Sequence, residues 1–181
     1  MKRKIIILVS LLVVLAGCGI TSATTSPKRV VEDLFGKYQA LDNTVLDQLD
    51  TVIASENLTT VQKNDYEELM RKQYQNLTYT IKNEVVNGDK AIVTVEIEVY
   101  DFAKTNAETE AYVTGHESEF LGDATTISDA LYQNYKINKL KGVTDRTKYT
   151  LDLGLTKTDK AWKLDTLTDV ERQKIHGLYT S

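Results

Sequence analysis

The spacing of apolar residues changes along this chain of 181 residues, and this change constrains its fold more than any other feature. Between residues 26 and 76, apolar side chains recur every three or four positions, as in amphipathic helices. From residue 77 to 99, and again from 149 to 155, they alternate with polar ones, as in half-buried strands. Because the strand segments come in pairs rather than alternating with helices, the pattern predicts an α+β fold with a curved antiparallel sheet of about four strands.

Three helices are predicted before the sheet. Ser26 as the N-cap and Pro27 at the first helical position begin the first helix, which continues to about Leu41. Residues 42–44 interrupt the pattern before a second helix, and Thr59-x-x-Gln62 matches a capping box at the start of a third. The predicted buried side of the third helix holds Val61, Tyr66, Leu69, Met70 and Tyr74.

The strands are predicted as two hairpins with a helical insertion between them. Asn87-Gly88 is a two-residue turn signal between the first two strands, and residues 158–160 turn the third strand into the fourth. Thr168-x-x-Glu171 caps a last short helix that ends at Gly177. The core-facing residues of the first strand are predicted to be Leu77, Tyr79, Ile81 and Val85, and those of the second Ala91, Val93, Val95, Ile97 and Val99. The core-facing residues of the third strand are predicted to be Tyr149, Leu151, Leu153 and Leu155. The insertion is predicted to be helical over 103–121 and over 126–140. The apolar side of the second of these helices holds Ile127, Leu131, Tyr135 and Leu140.

The amino terminus has the pattern of an export signal. Lys2, Arg3 and Lys4 precede an apolar segment, residues 5–15, that only Ser10 interrupts. A transmembrane helix needs about 20 apolar residues to cross about 30 Å of hydrocarbon. The segment is too short for that, and we therefore expect a signal peptide rather than a membrane anchor.

Leu15-Ala16-Gly17-Cys18 resembles the lipobox of bacterial lipoproteins at all four positions. The resemblance implies that the Cys18 thiol is joined to diacylglycerol and that a peptidase cuts between Gly17 and Cys18. It implies a signal peptide over 1–17 that is removed, a lipid-bearing tether over 18–25, and a single α+β domain over 26–181. The protein would be held by its acyl chains, palmitate among them, on the extracytoplasmic face of the cell membrane, because two chains give long-lived membrane residence.

The tether and the overall charge add two further expectations. Residues 19–25 are small or hydroxyl-rich and span at most about 25 Å when extended, which keeps the domain near the membrane. Without Lys2, Arg3 and Lys4, the 22 basic residues fall to 19 against 26 acidic ones, a formal charge of −7, which disfavours nucleic acid as a partner. Because Cys18 is the only cysteine, the chain has no internal disulfide.

The order of elements carries a second resemblance. A lipobox, a Ser/Thr tether, amino-terminal helices and strand pairs with a DKAWKLD segment at 159–165 are similar to small uncharacterised Gram-positive lipoproteins. Many of these have a cone-shaped α+β domain resembling nuclear transport factor 2 or cystatin. The insertion over 103–147 departs from the simplest form of that fold. Since the fold hosts both enzymes and binding modules, it does not decide between them.

No residue pattern in the sequence indicates a cofactor or a metal. His116 and His176 are the only histidines, and neither lies in a metal-binding spacing. We interpret both as structural, and His176 falls in a last helical turn, where a cation suits the helix dipole. Glu96 and Glu98, with Asp101 nearby, could do acid and base chemistry, but alternation places the pair on the solvated face of a strand.

Charge is unevenly distributed over the insertion. An acidic stretch, which could bind a cation, is followed by a basic group, which could bind an anionic wall polymer; the alternative is that both are solvated faces that pair locally. The acidic members are Glu108, Glu110, Glu117, Glu119, Asp123 and Asp129. The basic members are Lys136, Lys139, Lys141, Arg146 and Lys148.

These observations favour a non-catalytic binding or interaction module at the cell envelope, with a membrane contact through lipid on Cys18 and an envelope protein or wall polymer as partner. The alternative is an envelope enzyme or a small-ligand binder with a pocket between sheet and helices. Aromatic residues would line that pocket, or else fill the core. They are Phe35, Tyr38, Tyr79, Tyr149 and Trp162.

Overall fold

The computed structural model describes residues 26–122 and 125–180. The predicted signal peptide, the predicted lipobox with Gly17 and Cys18, and the predicted tether lie outside the described residues, as does Asp123. The first elements are the helices α1 (Pro27–Gln39), α2 (Asn43–Ser55) and α3 (Thr60–Asn76), followed by the strands β1 (Thr78–Asn87) and β2 (Lys90–Tyr100). Next come α4 (Phe102–Gly115), a 3-10 helix (Glu117–Phe120), α5 (Asp129–Lys141), β3 (Arg146–Thr158), β4 (Ala161–Leu164) and α6 (Asp169–His176).

The α+β prediction is confirmed. The four described strands form one curved, open antiparallel sheet in the order β1-β2-β3-β4, so each strand pairs with its neighbour along the chain. The helical insertion separates β2 from β3, as predicted. None of the described helices is long and apolar enough to cross a bilayer.

The helix starts follow the local capping signals. The Ser26 hydroxyl accepts a hydrogen bond from Arg29 N, and Pro27 occupies the first helical position of α1. The capping boxes at Thr59 and Thr168 are both formed, each with reciprocal hydrogen bonds to the residue three positions on. Gly177 ends α6 in the left-handed region, at φ +71°. Each of these signals needs only a few neighbouring residues, which explains why the sequence predicts them well.

Inward-facing residues of the strands form rows across the sheet. Tyr79, Ile97 and Tyr149 are paired neighbours on β1, β2 and β3, and Ile81, Val95 and Leu151 form the next row. Helices α1, α2 and α3 add apolar residues to the same core. Alternation on β2 and β3 therefore gives the predicted buried faces.

Alternation fails on β1 because of a β-bulge. The pairing of β1 with β2 shifts between Ile81 and Asn83, so one extra residue enters β1. A one-residue shift turns every later side chain to the opposite face of the sheet. The prediction that Val85 faces the core is consequently wrong: Val85 pairs with Ile92, and their side chains are 55% and 51% exposed.

Three other predictions are displaced by about one position. Val61 is exposed at the first turn of α3, where Gln62 is buried instead and bonds to α5 through Ala130 O and Asn134. On α5, Leu131 is exposed while Tyr132 is buried. The first hairpin turn consists of Gly88 and Asp89, with Gly88 at φ +59°, rather than of residues 87 and 88.

Candidate functional site

The predicted pocket residues lie at the interface between α1 and the sheet. Phe35 and Tyr38 of α1 are fully buried, and Tyr79 is partly buried against the same core. The rings of Phe35 and Tyr79 stack with centroids 5.0 Å apart. These three side chains thus lie between helix and sheet, where they contact core residues.

The other two predicted pocket residues sit nearer the edge of this interface. The Tyr149 hydroxyl donates to Tyr179 O at 3.1 Å, and the two rings meet edge to face. Partial burial raises the pKa of Tyr149. Trp162 on β4 packs partly against the core, with the Lys157 ammonium 5.7 Å from its ring centroid.

A buried polar cluster at the α1, α3 and α6 interface contains Tyr38, Tyr74, Arg172 and His176. Tyr74 Oη and His176 Nδ1 form a hydrogen bond of 3.1 Å, and the Tyr38 ring meets the Tyr74 ring edge to face. Arg172 bonds to Leu167 O and to Asp169. Among the described residues, Tyr38 Oη, Arg172 Nε and His176 Nε2 have no hydrogen-bond partner. The cluster therefore keeps unused hydrogen-bonding capacity inside the protein.

Burial determines the protonation states in this cluster. Loss of solvation, with a smaller effect of the Arg172 charge, lowers the pKa of His176 to about 3. Burial likewise raises the pKa values of Tyr38 and Tyr74 well above their usual range. His176 is consequently neutral at physiological pH, and the expectation of a cation interacting with the helix dipole there is wrong, because desolvation outweighs the dipole.

Gln73 holds the end of α6 against the sheet. Its side-chain amide donates to Tyr100 O at 3.1 Å and to His176 O at 2.9 Å, while its oxygen accepts from Tyr100 N at 2.9 Å. A β-carbon on Gly177 would overlap both the Tyr100 carbonyl oxygen and Gln73 Nε2. Glycine is therefore required at this position for space as well as for its backbone angle.

The carboxylates considered for catalysis are engaged elsewhere. Glu96 lies 3.3 Å from Lys82 Nζ and 3.7 Å from Lys148 Nζ, on the sheet face turned away from the helices. Glu98 pairs with Arg146 at 3.5 Å. Asp101 is the N-cap of α4, where it accepts from Lys104 N. The three side chains act as surface ion pairs and a helix cap, which favours the solvated-face interpretation.

The basic residues around the insertion do not form one surface. Lys136 is buried, and desolvation lowers its pKa. Lys139 lies over the Tyr135 ring, Lys141 pairs with Asp65, and Lys148 with Glu96. Over the described residues, no group of three or more acidic, histidine or cysteine side chains could hold a metal ion. Lys141 and Lys148 thus pair with carboxylates outside the acidic stretch.

An aromatic cluster in the insertion, made of Tyr112, His116, Phe120 and Tyr135, escaped the sequence prediction. His116 stacks on Tyr112 with ring centroids 4.0 Å apart, and Tyr112 stacks on Tyr135 at 5.1 Å. Phe120 meets both tyrosines edge to face. His116 is exposed at the surface end of this stack. The i, i+4 spacing of residues 112 and 116 on a helix was the available signal.

No protein-family model matches the chain. No curated protein matches it either. Among solved structures, the chain is similar to ycdA, a lipoprotein candidate from Bacillus subtilis subsp. subtilis strain 168, with 16% sequence identity and a TM-score of 0.42. The match covers 79% of this chain and 47% of the other, so this chain spans about half the length of that protein.

Proposed function

We propose that this chain is a lipid-anchored protein of the cell envelope that acts as a non-catalytic binding module. The observation that carries the proposal is the position of Cys18. It follows an apolar segment and two small residues, and it precedes the N-cap of the first helix, Ser26, by eight positions. Lipid at Cys18 would therefore hold the folded part on the extracytoplasmic membrane face, within about 25 Å of the bilayer.

The geometry of the described part supports binding rather than catalysis. Glu96 and Glu98 are paired with cations, and His176 is buried and neutral. An acid–base pair needs titratable groups that can reach a substrate. His116, in the aromatic cluster, is the histidine that solvent can reach. Its place in a ring stack suits contact with a ligand surface.

The anchoring step is tested by replacing Cys18 with Ala in the producing cell. The variant should incorporate no radioactive palmitate and should keep its signal segment, because lipid joins the thiol before cleavage. Ser10→Ala, a change to alanine elsewhere in the signal segment, is the matched control and should be lipidated and cut normally. Lipid on the Cys18→Ala protein would contradict the proposal.

Between a protein partner and a wall polymer, the aromatic cluster favours the polymer. The ring faces carry partial negative charge, which attracts the C–H groups of sugar rings, and His116 and Tyr112 form a flat stack that ends at solvent. The fraction of residues 26–181 that co-sediments with purified wall polysaccharide measures this contact. His116→Ala should lower that fraction, whereas Thr114→Ala, an exposed position on the same helix, should not. An equal fraction for His116→Ala and the unmodified protein would contradict the polymer as partner.

A small apolar ligand between α1 and the sheet is the second candidate function. The observation that favours it is the Tyr38 hydroxyl, which is buried and has no hydrogen-bond partner among the described residues. A ligand with one polar group could bond to this hydroxyl while Phe35 and Tyr79 contact its apolar part. Trp162 reports on the same region, and its fluorescence provides the test described in the Discussion.

A further inference from the structure

The tip of the first hairpin, residues 85–92, exposes apolar side chains on both strands next to its polar turn. Of the six large hydrophobic residues that are exposed in the described part, three lie in this hairpin tip: Val85, Val86 and Ile92. Their exposed fractions are 55%, 51% and 51%. Single exposed apolar residues are ordinary, but three on the strands beside one turn need a physical reason.

The β-bulge in β1 accounts for part of this exposure. Without it, alternation would direct Val85 toward the helices; with it, Val85 and Ile92 face each other on the outer side of the sheet. Val86, opposite Ala91, lies on the other side. The hairpin tip therefore presents apolar side chains on both of its faces.

The hairpin tip lies at the end of the fold where the tether begins. Lys28 N, in the first turn of α1, donates to Glu84 Oε2 at 2.7 Å, and Gln39 Nε2, at the other end of α1, donates to Leu77 O at 2.8 Å. Helix α1 therefore runs antiparallel to β1, and its amino-terminal end meets the strand just before the tip. Residues 85–87 extend about 10 Å beyond Glu84.

Exposed side chains of both charges lie beside the hairpin tip. Lys157 N donates to Asp89 O at 2.8 Å, which joins the turn between β3 and β4 to the same end of the molecule. Lys90, Lys157 and Lys160 are exposed there, alongside Asp89 and Asp159. Lys90 Nζ bonds to Thr156 Oγ1 at the surface, and Lys157 Nζ lies over the Trp162 ring. Long lysine side chains in such exposed contacts can extend past apolar neighbours to lipid phosphates at a membrane interface.

We propose that the hairpin tip docks into the interfacial region of the membrane that carries the lipid on Cys18. This inference rests on the proposed lipid anchor, because Val85, Val86 and Ile92 alone offer little apolar area. Once residues 19–25 hold the domain within about 25 Å of the bilayer, the local concentration of membrane at the tip is high and weak partitioning suffices. Docking fixes the orientation of the domain, with the β1–β2 turn toward the lipid.

The test uses the full chain, lipidated by the producing cell and reconstituted into phosphatidylglycerol and phosphatidylethanolamine vesicles. Since Cys18 is the only native cysteine and its sulfur is occupied by lipid, Val86→Cys gives one free thiol for the dye NBD. Thr78→Cys is the matched control, because it is exposed on the same strand, about 26 Å from residue 86. NBD at position 86 should emit at shorter wavelength than at 78 and be quenched several-fold more by spin-labelled lipid.

A second variant tests the apolar contact itself. Val85→Thr with Ile92→Thr keeps β-branched residues in both strands but replaces a methyl group of Val85 and the ethyl group of Ile92 with a hydroxyl. NBD at position 86 should then lose most of its lipid quenching, while the protein stays in the membrane fraction. Equal quenching at 86 and 78 in a lipidated protein would overturn the docking proposal and leave the anchor intact.

Two other outcomes of this experiment can be distinguished from membrane docking. A short-wavelength emission at 86 without lipid quenching would mean that the hairpin tip is buried against a second copy, and this also overturns membrane docking. A chain without lipid on Cys18 would remove the anchor itself, and the proposed function would fail together with the docking.

Discussion

The buried histidine makes the stability of this fold depend on pH in a way that can be calculated. His176 is 1% exposed, and burial lowers its pKa to about 3, against about 6.5 in an unfolded chain. Because the folded pKa is the lower one, the folded state excludes the proton. The stabilisation is present above pH 6.5 and is lost as the pH falls toward 3.

The size of this loss follows from the two pKa values. One pKa unit corresponds to about 1.4 kcal/mol, so the free energy of unfolding should fall by about 2 kcal/mol between pH 8 and pH 5. By pH 3 the loss approaches about 4 to 5 kcal/mol. Hydrogen bonds from Thr44 and Lys104 lower the pKa values of Asp42 and Asp145. Such carboxylates lose their stabilisation below about pH 5, outside the interval from pH 8 to pH 5. They are also common to all variants, so they cancel in a comparison.

Urea unfolding of residues 26–181 at pH 8 and pH 5, followed by Trp162 fluorescence and circular dichroism, measures this difference. His176→Asn keeps an amide where Nδ1 meets the Tyr74 hydroxyl but cannot be protonated, so its loss between the two pH values should be smaller by about 2 kcal/mol. His116→Asn, at the exposed histidine, should behave as the unmodified protein does. Equal losses in His176→Asn and the unmodified protein would show that His176 does not cause the pH dependence. If His176→Asn does not fold, the His176 ring resonances of the unmodified protein decide, since they should not titrate between pH 8 and 5.

Gly177→Ala should destabilise the fold by more than about 2 kcal/mol in the same urea assay, because the left-handed backbone and the contact with Gln73 both disfavour a β-carbon. Gly36→Ala should instead stabilise the fold by about 0.5 to 1 kcal/mol, because there is open space at this position in α1. Leu153→Ala, in the fully buried centre of β3, should cost about 2 to 5 kcal/mol, and a cost below 1 kcal/mol would contradict the core as described. A saturable change in Trp162 fluorescence with one class among lipids, muropeptides and apolar metabolites would support a pocket, whereas indifference to all of them would exclude it. The melting temperature of residues 26–181 should not change with chelator, and a large decrease would point to an ion site in the acidic stretch.

Features with short-range causes could be predicted from the sequence. Ser26, Thr59 and Thr168 cap helices through hydrogen bonds to residues three positions away, so a short segment contains the whole cause. The buried faces of β2 and β3 likewise follow from uninterrupted alternation. The fold class then follows from the grouping of the elements.

Features with long-range causes could not be predicted. The exposure of Val85 depends on a bulge, which is a property of how β1 pairs with β2 rather than of β1 alone. The burial of His176 depends on α3 covering α6, and nothing in the last helical turn by itself indicates that. The stack of Tyr112 on Tyr135 similarly joins two helices whose packing the sequence pattern did not give.

We propose that Cys18 becomes the lipid-bearing first residue of the mature protein. Mass spectrometry of the protein extracted from membranes of its producing cell tests this most directly. The amino-terminal peptide should begin at Cys18 and carry the mass of a diacylglyceryl group, with release of fatty acid on mild alkaline treatment. An amino-terminal peptide that begins at another residue, or a Cys18 peptide with a free thiol, would contradict the account.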